Sequence, residues 1–305
     1  MHQLLLNLKV KCRNLGGKLK NHVVVTPVRN ESDFLPETID SMVKQTIIPS
    51  QWIVVDDSST DGTRGMLEEA EKEFKWIKLV RVGKESNRER GRKIARLVNS
   101  GIANIDTEWT YLSKIDADII LPENYFEMII EEFENDEELG IASGNCFLRN
   151  GEGRNIEKVE FDHTRGALKT YRKECFAKIG GIREVDGWDG LDNHIAQFHG
   201  WKTKNFPGIL AEHRRATGSR DGVMSNFIWA GQKSHFLSYS WPYLIAKVLA
   251  NMFRRPLIIG GVLILIGFIQ AKILRKEKVE DRELADFIRK TQMRKLLRRI
   301  RMRGP

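Results

Sequence analysis

Cysteine is scarce in this chain. Cys12, Cys146 and Cys175 are the three in 305 residues, an odd number with no C-x-x-C pair. That argues against a disulfide scaffold or a thiolate zinc site and suits a reducing compartment. Eight prolines and 25 glycines are too few for a collagen-like or linker chain. A hydrophobic content of 41% is too high for disorder. The N-terminal MHQLLLNLKVKCRNLGGKLK has an apolar run of only a few residues and no small-residue cleavage site, so it does not read as a secretory signal. A long hydrophobic run is also lacking. PLIIGGVLILIGFIQA, from Pro256 to Ala271, holds 16 residues without a charge. As a helix it would reach about 24 Å, against roughly 30 Å of bilayer hydrocarbon.

The net charge of +9 is unevenly spread. Residues 272–305 carry 13 Lys/Arg and five Asp/Glu, while the other 271 residues hold 37 basic and 36 acidic side chains. The body is neutral and the tail basic, so the tail is the part expected to meet a polyanion. Phe287 is its one aromatic. Stacking on bases is poorly served, and no nucleic acid is expected as a partner. Arg254 and Arg255 precede the apolar run, and Lys272, Arg275 and Lys276 follow it. Basic flanks on both sides favour helices lying at the cytoplasmic leaflet over a clean span, with Trp241 and Tyr243 as interfacial anchors.

From residue 21 onward short β runs alternate with helical periodicity. Strands are expected at 22–28, 51–57, 76–82 and 109–118, and helices at 32–45, 61–74, 89–104 and 122–134. Such alternation predicts an α/β fold with a mostly parallel central sheet and helices on both faces. Ligands then sit beyond the carboxyl ends of the strands. Those ends carry Thr26-Pro27-Val28-Arg29-Asn30-Glu31, Asp56-Asp57-Ser58-Ser59-Thr60-Asp61 and Asp116-Ala117-Asp118. Carboxylates gathered at one edge repel unless a cation or a hydrogen-bonding ligand sits among them. Asp116 and Asp118, two apart on an extended segment, would face the same side and address one hard cation. Asp61 also has the spacing of a helix cap.

TPVRNE, IVVDDSSTDGT and KIDAD, in this order, resemble the nucleotide-binding half of family 2 glycosyltransferases with the GT-A fold. GRKIARLVNSGI (91–102) and GWDGLD (187–192) extend the resemblance to about residues 21–215. It implies a GT-A sheet with C-terminal membrane-associated helices, and an inverting, metal-dependent transfer of one sugar from a nucleotide-diphosphate sugar to a hydroxyl. Pro27 and Glu31 would line the base pocket beside Arg29, Asp56 or Asp57 would contact the base, and Arg92 or Lys93 would approach the nucleotide. Asp116 would touch the ribose or a metal-bound water, and Asp118 would hold Mn²⁺ or Mg²⁺ against the diphosphate. Asp192 would be the base, with Asp189 as its competitor. The residue before Asp192 is Leu191, where the family often has glutamate. A Gln-x-x-Arg-Trp motif of polymerising members is missing, since Lys-Ser-His follows Gln232. Single-sugar transfer is therefore favoured.

Glu212-His213-Arg214-Arg215 adds a histidine able to complete a metal shell and two arginines suited to diphosphate. Trp188 could stack on an acceptor ring or belong to the core. His163, His194 and His199 read as structural. The expected organisation is an amphipathic segment (1–20), a catalytic domain (21–220), a membrane-associated helical segment (221–275) and a basic tail (276–305). The expected partners are a UDP-, GDP- or dTDP-linked sugar, a glycan or lipid-linked acceptor, and the cytoplasmic face of the cell membrane. A polyprenyl phosphate acceptor is a close variant. Two other classes compete: a sugar-phosphate nucleotidyltransferase, which would need a glycine-rich loop after the first strand, and a non-catalytic membrane-surface protein.

Overall fold

The computed structural model describes residues 21–83, 91–151, 153–157, 160–215, 222–253 and 257–301. The N-terminal amphipathic segment expected at 1–20 lies outside them. The chain divides into two units, 1–215 and 216–305.

Unit 1 is built on β1 (His22–Val28), β2 (Gln51–Asp56), β3 (Ile77–Arg81) and β4 (Tyr111–Ile115), then β5 (Ile119–Ile120), β6 (Leu139–Asn150), β7 (Gly153–Ile156), β8 (Leu168–Arg172) and β9 (Lys202–His213). Helices α1 (Leu35–Val43), α2 (Thr63–Glu73), α3 (Gly91–Ile102) and α4 (Tyr125–Asn135) alternate with the early strands, and α5 (Lys173–Lys178) and α6 (Trp188–Phe198) with the later ones. Valine and isoleucine runs fill the middle of β1 and β2, with Val23, Val24, Val25, Ile53, Val54 and Val55 sealed from solvent. Gly101 lets α3 lie on these strands, because a Cβ there would come within 2.5 Å of Val25 Cγ1.

The strand order is β3-β2-β1-β4-β8-β6-β9-β5, with β7 paired to β6. This corrects the expected mostly parallel GT-A sheet. Parallel pairing holds for β1–β2, β1–β4, β2–β3 and β6–β9. Antiparallel pairing holds for β4–β8, β5–β9, β6–β7 and β6–β8, so the sheet is mixed. The parallel half is where helical crossovers set the periodicity. The other half is disguised by β6, LGIASGNCFLRN, whose register slips between Leu139 and Ile141 and between Ser143 and Asn145. Each slip changes which residues face inward, and the alternation is lost to the eye. Gly144 marks one of them, since a Cβ there would meet the Ile209 carbonyl oxygen at 2.6 Å.

Unit 2 comprises α7 (Val223–Phe236), α8 (Trp241–Met252), α9 (Ile259–Ile273) and α10 (Arg282–Arg301). Two glycines set the approach of α7 to α9. A Cβ on Gly231 would lie 2.0 Å from the Ile264 carbonyl oxygen, and one on Gly267 2.0 Å from that of Ile228. Leu244, Ile264 and Phe268 form the small core, with Phe227, Ala230, Val248 and Leu265 against it. Among the described residues no helix is long and apolar enough to cross a membrane. The C-terminal helices thus include no membrane span among the described residues.

Candidate functional site

The strand ends of unit 1 converge through paired charges. Asp57 follows β2 and is buried; its Oδ2 accepts from Lys93 Nζ at 2.6 Å and from Arg29 Nη1 at 3.1 Å. Asp56, one residue earlier and fully buried, serves the loop instead. It accepts from the Ser59 amide at 3.0 Å and from Arg64 Nε at 3.0 Å. Pro27 stays within β1, opposite Val55. Arg92 is at the start of α3, where its amide and that of Gly91 each donate to Asp186 Oδ1 at 3.1 Å. Asp61 accepts from the Thr63 amide at 3.0 Å and from the Ser32 amide at 3.2 Å, tying the first strand-end loop to the start of α2.

The Asp116-Ala117-Asp118 segment is a turn, with the Ile119 amide donating to the Asp116 carbonyl at 3.3 Å. It is not the extended segment expected, and the two carboxylates find different partners. Asp116 takes a short hydrogen bond from Lys114 Nζ, which also donates to the Gly166 carbonyl at 2.9 Å. Asp118 is buried and meets Arg215 Nη2 at 2.8 Å and His213 Nε2 at 3.6 Å. The two-residue strand β5 makes this meeting. Ile119 registers against His213 on β9, and the Arg214 amide donates to the Asp118 carbonyl at 3.0 Å.

Arg215 Nη2 also reaches both Glu31 carboxylate oxygens at 2.7 Å, joining the end of β1 to the turn after β4. Arg214 turns elsewhere, to Glu37 at 3.2 Å and Glu212 at 3.0 Å. Burial alone would raise the Asp118 carboxyl, but His213 and Arg215 overcome it and hold it at about 2. For His213 burial acts downward, and the carboxylates of Asp118 and Glu157 lift the imidazole to about 9 against it. A buried carboxylate beside a buried imidazole is a donor set that suits Mn²⁺, and carboxylate oxygen suits Mg²⁺. The residues present thus fit a divalent cation. On the far side of His213, Cys146, Glu157 and His213 bring three ligand atoms within 4.8 Å of one another.

The acidic motif on α6 divides into an inner and an outer carboxylate. Asp192 is buried, and both its oxygens are taken. Oδ1 accepts from Lys169 Nζ at 2.7 Å and from the Asn193 amide at 3.0 Å, while Oδ2 takes a short bond from the Tyr171 hydroxyl. Burial raises the Asp192 carboxyl above its usual range, with Lys169 and Tyr171 opposing. Asp189, one turn earlier, lies against Gly166, where a Cβ would come 3.3 Å from Asp189 Oδ2. Gly166 is the residue whose carbonyl holds Lys114. Trp188 is buried, with Lys114 Nζ 5.8 Å and Lys169 Nζ 5.6 Å from its ring centre. It packs as a wall under two ammonium groups.

Lys114, Lys169, Tyr171, Glu157 and Cys146 were missed in the sequence. One signal was available. In LKTYR the odd positions Lys169 and Tyr171 share a strand face, and a lysine beside a tyrosine on an inward face needs a buried anion.

The carboxylate-bearing strand ends of this mixed sheet thus meet at a cluster of Asp118, His213 and Arg215. Residues 23–187 match the model of glycosyl transferase family 2. The match covers more than half of the chain, which belongs to that family. The chain is 28% identical over 162 residues to a poly-beta-1,6-N-acetyl-D-glucosamine synthase of Staphylococcus epidermidis, covering 52% of this chain and 36% of that protein. It thus spans about a third of that relative's length. In fold it is similar to the mannosyltransferase PcManGT from Pyrobaculum calidifontis, solved with GDP-Man and Mn²⁺, with a TM-score of 0.54 at 16% identity over 88% of this chain and 82% of that one. It is also similar to S. aureus TarS 1–349, solved with UDP-GlcNAc, with a TM-score of 0.53 at 15% identity over 88% and 80%.

Proposed function

We propose that this protein moves a single sugar from a nucleotide-diphosphate sugar to an acceptor hydroxyl in one inverting displacement. The observation that carries this reading is the convergence of Glu31, Asp57, Asp118 and His213 with Arg215 and Lys93 at the strand ends of a family 2 glycosyltransferase. Asp57, gripped by Lys93 and Arg29, would receive the nucleoside. Arg215 and Lys93, the cations paired with these carboxylates, would hold the diphosphate, and a guanidinium grips phosphate oxygens in bidentate fashion. Asp118 with His213 would hold Mn²⁺ or Mg²⁺, which when bound offsets the charge gathering on the leaving diphosphate. The bound complexes of the two structural relatives, one with GDP-Man and Mn²⁺ and one with UDP-GlcNAc, are in keeping with such a donor.

The base is assigned to Asp189 in place of Asp192. Asp192 is buried and both its oxygens are occupied inside the protein, by Lys169, the Asn193 amide and the Tyr171 hydroxyl, so it is closed off from an acceptor hydroxyl. Lys169 Nζ, held by Asp192, also donates to the Asp189 carbonyl. Asp192 thereby fixes the first turn of α6, and Asp189 is the carboxylate that turn presents on the side of Gly166 and Lys114. One carboxylate held in line is sufficient for a single displacement.

The acceptor is read as a glycan or lipid-linked glycan at an anionic lipid surface. Trp241, Ile245 and Leu249 on α8 recur at helical spacing and are exposed, as are Val262, Ile266, Ile269 and Ile273 on α9. Lys272, Arg275 and Lys276 follow that face. Apolar rows next to basic residues match the boundary between acyl chains and acidic headgroups.

The test is binding of UDP, GDP and dTDP to the full chain, with and without Mn²⁺, beside Asp118→Asn. One nucleotide bound at least about a hundredfold more tightly with metal, and only by the wild type, is expected. Metal-independent binding equal in both proteins would sink the role of Asp118. Sedimentation with anionic but not neutral vesicles tests the lipid surface, and equal recovery with both would exclude it.

A further inference from the structure

His213 has two ring nitrogens, and the donor site uses one of them. Nε2 faces Asp118. Nδ1 points the other way, buried and without a hydrogen-bond partner, 3.7 Å from Glu157 Oε2. Cys146 completes this second cluster, its sulfur and the Glu157 and His213 ligand atoms lying within 4.8 Å of one another. The backbone explains the meeting. Cys146 on β6 registers against Ala211 on β9, and His213 is two residues further along the same face of β9. The Glu157 amide, returning from the β6–β7 hairpin, donates to the Cys146 carbonyl at 2.9 Å. Three ligands from three chain segments thus converge with no C-x-x-C signature to announce them.

We propose that Cys146, Glu157 and His213 Nδ1 form a second cation site, for a thiophilic divalent ion of the zinc class, and that loading it inhibits transfer. Thiolate, imidazole and carboxylate are the ligand types zinc takes in tetrahedral sites, and three protein ligands leave a fourth position for water. Ligand atoms in such a site stand about 3.5 Å apart, so closure by roughly 1 Å is required. Binding releases two protons to solvent, one from the Cys146 thiol and one from His213 Nδ1. Arg165 is the built-in competitor, since its guanidinium pairs with Glu157 Oε2 and must yield to the ion. Mn²⁺ and Mg²⁺ prefer oxygen and have little use for the thiol, so the two sites discriminate by softness. Because His213 belongs to both, an ion on Nδ1 recruits the imidazole away from Asp118. The inhibition rests on the proposed donor-metal role of Asp118, whereas the site itself does not.

Cobalt(II) is the probe, added to the full chain without nucleotide. A thiolate-to-cobalt charge-transfer band in the near ultraviolet is expected in the wild type and in Cys175→Ser and Asp118→Asn. It should vanish in Cys146→Ser, weaken at least tenfold in cobalt affinity in Glu157→Gln, and strengthen in Arg165→Gln. Should Cys146→Ser fail to fold, Glu157→Gln decides alone. No band in the wild type, a band surviving in Cys146→Ser, or unchanged affinity in Glu157→Gln would overturn the site. Zinc inhibition of turnover at saturating Mn²⁺, relieved in Cys146→Ser, is the functional arm. Its absence beside a confirmed cobalt band would remove the inhibitory role and leave the donor reading standing.

Discussion

Unit 1 and unit 2 solve the problem of close packing in opposite ways. In unit 1 charged side chains are drawn inside and matched: Lys169 with Asp192, Asp118 with Arg215, Asp57 with Lys93. In unit 2 the helices approach by deleting side chains, so that Gly231 and Gly267 rest on the backbone of the facing helix. Matched charges fix positions and chemistry, because each ion has few arrangements that satisfy it. A glycine seam fixes only distance. The contrast teaches where function sits, since the unit whose interior holds ions is also the one whose strand ends present carboxylates.

The sharpest way to probe the contrast is to separate the outer carboxylate of α6 from the inner one. Asp189→Asn is expected to lower kcat by roughly 10²–10⁴-fold, as for loss of a general base, and to move the urea midpoint far less than Asp192→Ala does. Asp192→Ala should instead lower stability by about 3–5 kcal/mol, because Lys169, fully buried, loses its counterion. A double replacement, Lys169→Met with Asp192→Leu, should recover most of that stability while leaving kcat low, since the first turn of α6 loses its anchor. Equal stability loss in Asp189→Asn and Asp192→Ala would erase the distinction.

In unit 2 the corresponding break is steric. Gly267→Leu forces α7 and α9 apart and should cost at least about 1–3 kcal/mol. Gly101→Ala in unit 1 should cost less, because the added methyl meets the tips of Val25 and Val55 side chains and not a carbonyl. Thermal melts of the two variants rank them, and a larger loss for Gly101→Ala would contradict the account of the seam.

Much of unit 1 was legible before folding. The strands His22–Val28, Gln51–Asp56, Ile77–Arg81 and Tyr111–Ile115 fall where apolar alternation with helices expects them; three of them are buried almost throughout, and Ile77–Arg81, at the end of the strand order, buries Ile77 and half-covers the next three residues. The far half was not legible, for a physical reason: glycine, serine and asparagine in β6 produce bulges that break the two-residue period. The site was legible at its strand ends and obscure in its pairings. Arg215 and Glu31 are 184 positions apart, and only the two-residue pairing of β5 with β9 brings the end of β9 to the turn that carries Asp118. Asp116 and Asp118 show the limit of pattern reading, since a two-residue spacing places side chains together on a strand and the chain turns there instead. The enclosure of Asp192 depends on Lys169 and Tyr171, whose shared strand face in LKTYR signals a buried anion but does not say which one.

The histidine shared between the two clusters offers a comparison that pH alone can break. His213 is raised in the folded protein from 6.5 to about 9, by Asp118 and Glu157 acting against its burial. A group raised on folding stabilises the native state fully below its unfolded pKa and loses that contribution as pH climbs through its folded pKa. The stabilisation from His213 is therefore complete below about pH 6.5 and gone above about pH 9. Asp118 behaves inversely. It is lowered from 3.8 to about 2, so its share is present above the unfolded value and lost only as pH falls toward 2. Between pH 6.5 and 9 the His213 share is the one that fades. His213→Gln removes the charge and keeps a polar side chain. The difference in melting temperature between wild type and this variant, recorded without added metal, should be greatest near pH 6 and shrink steadily toward pH 9.5. A difference that stays constant across this range would mean that the histidine contributes by packing and not by its proton.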